Sequence, residues 1–124
     1  MEKIINIENG KDIKLSSSAA FLYIYKNQFG REPLKDLMNL QKGFVNSEET
    51  DEIQLMETFN LEVIQNLAWA LAKVGDYKGT PEPIEFYLNN PNFMPLDHAS
   101  EILNLALGSV SVNMQVEEET EEKN

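Results

Sequence analysis

Cysteine is absent from this 124-residue chain, and histidine occurs once. The first absence removes disulfides, thiolate nucleophiles and every cysteine-based metal site. The second leaves His98 as the sole imidazole for a Ser-His-Asp arrangement or a metal cage. Asp97 precedes it, but neighbouring residues on a helix do not face each other, so His98 reads as a helix-surface histidine. Basic residues are scarce as well: 10 Lys and Arg stand against 21 Asp and Glu, a formal net charge of -11. Such a chain is repelled by nucleic-acid phosphates and by anionic membrane surfaces. Gly-rich phosphate loops, a Walker lysine and a nucleophile elbow are all missing. No apolar run approaches the ~20 residues of a membrane span. The opening Met1-Glu2-Lys3-Ile4-Ile5-Asn6 turns polar too early for a signal peptide. Together these absences predict a soluble protein of a reducing compartment, with no catalytic centre, no cofactor and no metal.

What is present suits one small domain. Hydrophobic residues make up 42% of the chain, and a domain of this length buries roughly two-thirds of its unfolded surface. Alternation runs from Ile4 to Ile7 and resumes at Ile13 and Leu15, around Glu8-Asn9-Gly10-Lys11. Asn-Gly between two alternating runs predicts a β-hairpin over about Lys3 to Leu15, because both residues tolerate positive φ. A lone hairpin is marginal and has to pack on something else.

From Ser16 the period becomes helical. Ser16, Ser17 and Ser18 offer N-caps to a helix carrying Phe21, Ile24, Tyr25 and Phe29, which Gly30 closes. Pro33 opens a second helix whose stripe reads Leu34, Leu37, Met38 and Gln41, ending at Gly43. The carboxylates Glu48, Glu49, Asp51 and Glu52 lack the spacing and the glycine of a calcium loop and read as a helix start, with Ile53, Met56 and Phe59 following. Asn60 caps the most apolar segment, in which Val63, Ile64, Leu67, Ala68 and Leu71 form a broad face beside Trp69 until Gly75. This is the expected central helix, with Trp69 in the core. Thr80-Pro81-Glu82-Pro83 opens a short helix that Asn89-Asn90-Pro91 breaks. A last helix is expected from near Pro95 to Gly108, and Val110, Val112 and Met114 then form either a short strand or an extended tail. Residues 117–124 hold five Glu and one Lys, which is -4 of the total charge; no apolar anchor opposes disorder there. The fold expected is mainly α: a helical domain over residues 1–116 with an N-terminal β-hairpin, followed by a disordered acidic tail over 117–124.

One segment stands out for binding. Phe86, Tyr87, Leu88, Phe93 and Met94 crowd into a stretch punctuated by Pro and Asn, and serve either as core or as a partner contact. Phe86, Tyr87, Phe93 and Met94 are the candidate partner-binding residues.

The run Ala20-Phe21-Leu22-Tyr23-Ile24-Tyr25-Lys26-Asn27-Gln28-Phe29-Gly30-Arg31-Glu32-Pro33-Leu34 resembles the opening helix of tail assembly chaperones from siphophages and prophages of Gram-positive bacteria. Leu67-Ala68-Trp69-Ala70-Leu71-Ala72-Lys73 is similar to that family's central helix. Pro83-Ile84-Glu85-Phe86-Tyr87-Leu88 and the closing apolar helix follow in the same order, so the resemblance spans roughly residues 1 to 116. It implies a non-catalytic assembly factor of the host bacterial cytoplasm, absent from the mature virion. Such a factor binds the phage tape measure protein and keeps it soluble while tail tube protein polymerises. The resemblance also implies a longer, frameshifted form that recruits the tail tube protein. Glu122-Lys123-Asn124 agrees with that: GAA, AAA and AAC or AAU together spell a heptamer on which both tRNAs re-pair after slipping back one nucleotide. An A-rich gene also ends an acidic tail this way by chance, and the nucleotide sequence decides between the two.

Two rival readings make different demands. An acidic nucleic-acid mimic or inhibitor, filling a basic protein cleft, requires carboxylates arrayed over one face, whereas here they gather at helix starts and in the tail. An enzyme with a carboxylate pair would need a second catalytic feature, and none accompanies the carboxylates.

Overall fold

In the computed structural model, residues 1–46 and 61–111 are described. The helix expected around Ile53, Met56 and Phe59, the cap at Asn60, the alternation after Val110 and the acidic tail from Glu117 lie outside them. The chain is mainly helical with an N-terminal antiparallel hairpin, as the periodicities predict.

Strands β1 (Glu2–Ile5) and β2 (Ile13–Ser16) pair in the register Ile5 to Ile13 and Lys3 to Leu15. This puts Ile5, Ile13 and Leu15 into the core and leaves Ile4 outside. The connection is longer than the two-residue turn that Asn-Gly suggests, since pairing stops at Ile5 and Ile13. Within it the Gly10 N–H donates to the Ile7 carbonyl at 3.1 Å, and Asn9 takes the positive φ, 61°. Gly10 contributes space: a Cβ there would sit 2.9 Å from Ile7 Cγ2.

Helix α1 (Ala20–Phe29) starts where the Ser18 hydroxyl accepts the Ala20 N–H at 3.1 Å. The neighbouring serines also tie the chain's two ends together. Ser17 Oγ donates to the Leu105 carbonyl at 2.7 Å, and the Ser18 N–H donates to Ser109 Oγ at 3.0 Å. Gly30 ends α1 in the left-handed conformation, φ 66°, its N–H closing on the Lys26 carbonyl.

Helix α2 (Pro33–Asn46) departs from expectation. It runs past Gly43, and its buried face is Asp36, Leu37 and Leu40, while Leu34 and Met38 are exposed. The stripe is turned toward a polar residue because Asp36 has partners inside. The Tyr25 hydroxyl donates to Asp36 Oδ2 at 2.6 Å, and Arg31 donates through Nε and Nη2 at 2.8 Å each. A buried carboxylate satisfied on both oxygens outranks two aliphatic side chains for that position.

Helix α3 (Leu61–Gly75) is the centre of the fold, as expected, with Val63, Ile64 and every residue from Leu67 to Ala72 buried. A helix that is apolar nearly all round has neighbours all round. Here they are β2, α1 and α5 (Ala99–Val110). Its last residue, Gly75, lies so close to β2 that a Cβ would fall 2.7 Å from the Lys14 carbonyl oxygen.

After α3 the chain is pinned back by three bonds. Trp69 Nε1 donates to the Pro81 carbonyl at 2.8 Å, Lys73 Nζ to the Thr80 carbonyl at 2.7 Å, and Thr80 Oγ1 to the Ala72 carbonyl at 3.2 Å. Helix α4 (Pro83–Asn89) then begins with proline at its first position, where no N–H is required. The final helix enters through a 3-10 turn, Pro95–His98, and continues past Gly108 to Val110. Among the described residues no helix is long and apolar enough to cross a membrane.

Candidate partner-binding groove

Rings organise the region between α1, α3 and α4. Phe21, Tyr25, Phe29 and Trp69 form a chain of tilted and edge-on contacts, with centroids 5.1–5.8 Å apart, that links α1 to α3. A second group is Phe86, Tyr87 and Phe93: Phe86 meets Tyr87 edge-on at 4.9 Å, and Tyr87 stacks on Phe93 at 6.1 Å. Such pairings favour one docking angle for a short helix that propensity alone would not hold.

The four candidate residues separate into two roles. Phe86 and Phe93 are buried core residues, 5% and 2% exposed, and this corrects their assignment to the contact surface. Seven helical residues need an anchor to stay folded against α3, and the two rings supply it. Tyr87 is half-buried, and its hydroxyl donates to the Gln65 carbonyl at 2.6 Å. Burial pushes its phenol well above the ordinary tyrosine range, so it stays neutral. Met94 is exposed.

Ile84 and Leu88, which the sequence reading left out of the candidate set, are 79% and 74% exposed. They stand one turn apart on α4. At about 100° per residue each lies roughly 200° from Phe86, so burying Phe86 turns both outward. That signal was present in Pro83-Ile84-Glu85-Phe86-Tyr87-Leu88, once Phe86 is taken as the inner residue.

The pair borders an open groove of about 610 Å³ between the end of α1, the first turns of α3 and α4. Phe29, Pro83 and Tyr87 supply its apolar lining, Gln65 and Asn66 its polar floor, and Glu62 and Glu82 its carboxylates. Among the described residues no lysine or arginine lines it. A second cavity, about 650 Å³, lies between the hairpin loop and the α3–α4 connection. Its walls mix Ile7, Pro81 and Phe86 with Lys11, Lys14, Asp12 and Asp76, so they carry no charge of one sign.

Other polar clusters have structural duties. His98, half-buried in the 3-10 turn, has its Nδ1 3.4 Å from Glu101 Oε1 and its ring 6.0 Å from Phe93. Lys3 reaches the same carboxylate at 2.9 Å, and this bond above all lowers the Glu101 carboxyl. Among the described residues no three His, Asp or Glu side chains converge as a metal site would require. The Tyr25–Asp36–Arg31 cluster locks α1 to α2. Burial would raise the Asp36 carboxyl, but the hydrogen bonds from Arg31 and Tyr25 outweigh it and hold the group below its usual range. Burial, then Asp36, raises the Tyr25 phenol.

Against known proteins the chain finds no match, either among protein-family models or among curated proteins and solved structures.

Proposed function

We propose that this protein is a non-catalytic phage tail assembly chaperone that binds the tape measure protein through the α4 groove and keeps it soluble while the tail tube forms. The observation that carries the reading is the Ile84–Leu88 pair, two aliphatic side chains held out in water by a helix whose inner face is fixed. A monomeric protein gains nothing in stability from that arrangement, and a binding surface needs it. Support also comes from the ordered resemblance of α1, α3 and α4 to the chaperone family and from the acidic charge, which keeps a carrier of apolar segments soluble. In this reading the chain works in the host bacterial cytoplasm and leaves before the virion matures, and a longer frameshifted form brings in tail tube protein.

Co-expression with the tape measure protein of the same phage tests it. The expected result is a soluble complex with the full chain and an insoluble tape measure protein without it. A double variant, Ile84→Ser with Leu88→Ser, keeps its melting temperature but loses the complex. A tape measure protein that stays insoluble whether or not the chain is present refutes the chaperone reading.

A further inference from the structure

The hairpin connection carries a chemistry that neither the groove nor the fold uses. Asn9 is followed by Gly10, whereas every other asparagine, Asn124 aside, precedes a residue with a side chain. The side-chain carbonyl carbon of an asparagine lies within reach of the next backbone nitrogen, because a bond between them closes an unstrained five-membered ring. A side chain on the next residue hinders that approach, and glycine has none. Asn9 and Gly10 are both exposed, so water and base reach the pair from solvent.

The fold restrains the nucleophile. The Gly10 N–H donates to the Ile7 carbonyl at 3.1 Å, and Asn9 sits in the left-handed conformation, φ 61°. Asn92, in the connection after α4, braces the loop from outside. Its Nδ2 donates to the Glu8 carbonyl at 3.2 Å and approaches the Asn9 carbonyl at 3.5 Å. For the ring to close, the Gly10 nitrogen must leave Ile7, give up its proton and turn toward the Asn9 side chain. Each bond that steadies the loop therefore slows the reaction, and local opening sets its rate.

We infer that Asn9–Gly10 is a site of spontaneous covalent modification, deamidation through a cyclic imide, and that opening of the hairpin connection gates it. Base takes the Gly10 N–H proton, the nitrogen bonds to Asn9 Cγ, and the side-chain amide nitrogen leaves as ammonia. Water then opens the ring at one of its two carbonyls, giving aspartate or its β-linked isomer. No oxidant or reductant takes part. Either product adds a negative charge next to Glu8. The β-linked product also lengthens the backbone by one carbon, where a Cβ on Gly10 would already sit 2.9 Å from Ile7 Cγ2. The tight turn between Ile7 and Gly10 then has to loosen.

The full chain is incubated folded and in guanidinium chloride, and peptide mapping with fragmentation that separates the two isomers follows each asparagine. In the unfolded chain Asn9 is expected to convert ahead of every other asparagine. In the folded chain Asn9 still converts, but more slowly, and faster at mildly alkaline than at neutral pH because the Gly10 N–H must ionise. Asn92→Ala is expected to speed folded-state conversion about two- to tenfold, the effect of one hydrogen bond on an opening equilibrium. Guanidinium chloride below the unfolding transition acts in the same direction on the unaltered chain, which tests the gate without any substitution. Asn9→Gln removes the reaction on this timescale, since its longer side chain closes a larger ring. An Asn9 that stays an amide throughout in the folded chain overturns the site. A folded-state rate equal to the unfolded one, or one that neither Asn92→Ala nor mild denaturant alters, overturns the gate and with it the inference.

Discussion

Asp36 is the residue on which the packing of α1 against α2 turns. Its two carboxylate oxygens accept three hydrogen bonds, from Tyr25 and twice from Arg31, while its side chain is only 3% exposed. An amide in its place supplies one acceptor oxygen and turns an NH2 toward another donor. Asp36→Asn is therefore expected to cost about 1.5–3 kcal/mol at neutral pH, the usual worth of a hydrogen bond to a charged group. The sign of its pH dependence follows from the lowered carboxyl. As pH falls toward about 4, the unfolded chain protonates first, so the folded state loses stability that it holds fully at higher pH. Chemical denaturation at a series of pH values should show wild type and Asp36→Asn converging in acid; a gap that stays constant would mean the carboxylate's charge is irrelevant. The same residue explains the misread stripe of α2. Periodicity counts apolar side chains, and a buried aspartate is invisible to it until its tyrosine and arginine partners are known.

At the scale of elements, closeness of approach decides as much as apolar pattern. Gly75 ends α3, and alanine there would gain up to about 1 kcal/mol of helix propensity. Its Cβ, however, would meet the backbone carbonyl of Lys14 at 2.7 Å, and backbone has no flexible end to swing away. The clash should win: Gly75→Ala is expected to destabilise the protein by about 1–3 kcal/mol, as overpacking does. Weakened hydrogen-exchange protection at Ile13 and Leu15 would show that β2 is the element pushed off, whereas a rise in stability would show that the two elements separate freely. The helices α1 and α3 were legible in the sequence because a closing glycine and a broad apolar face mark them. Helix α4 was legible as an element but not as a surface. Large side chains drew attention to Phe86 and Phe93, yet a seven-residue helix stays folded only by burying a large ring of its own, here Phe86. The exposed aliphatic side chains are instead Ile84 and Leu88 on the opposite side.

For the whole molecule, the net charge of -11 works against folding through repulsion among the excess carboxylates. Ion pairs within the described residues join Lys3 to Glu101, Lys14 to Glu2, Lys26 to Glu32 and Arg31 to Asp36. The first three are solvent-exposed on both sides, and exposed pairs contribute about 0–1 kcal/mol at most. Their loss on screening is small beside the relief of repulsion among the excess carboxylates. Raising salt from about 0.01 M to 0.15 M shortens the Debye length from about 30 Å to 8 Å, which removes repulsion across the domain. The melting temperature is accordingly expected to rise by a few degrees, on the order of 1 kcal/mol for a domain of this size. Thermal unfolding in buffers of rising salt checks this: a melting temperature that falls instead would mean that the ion pairs, not the repulsion, govern stability.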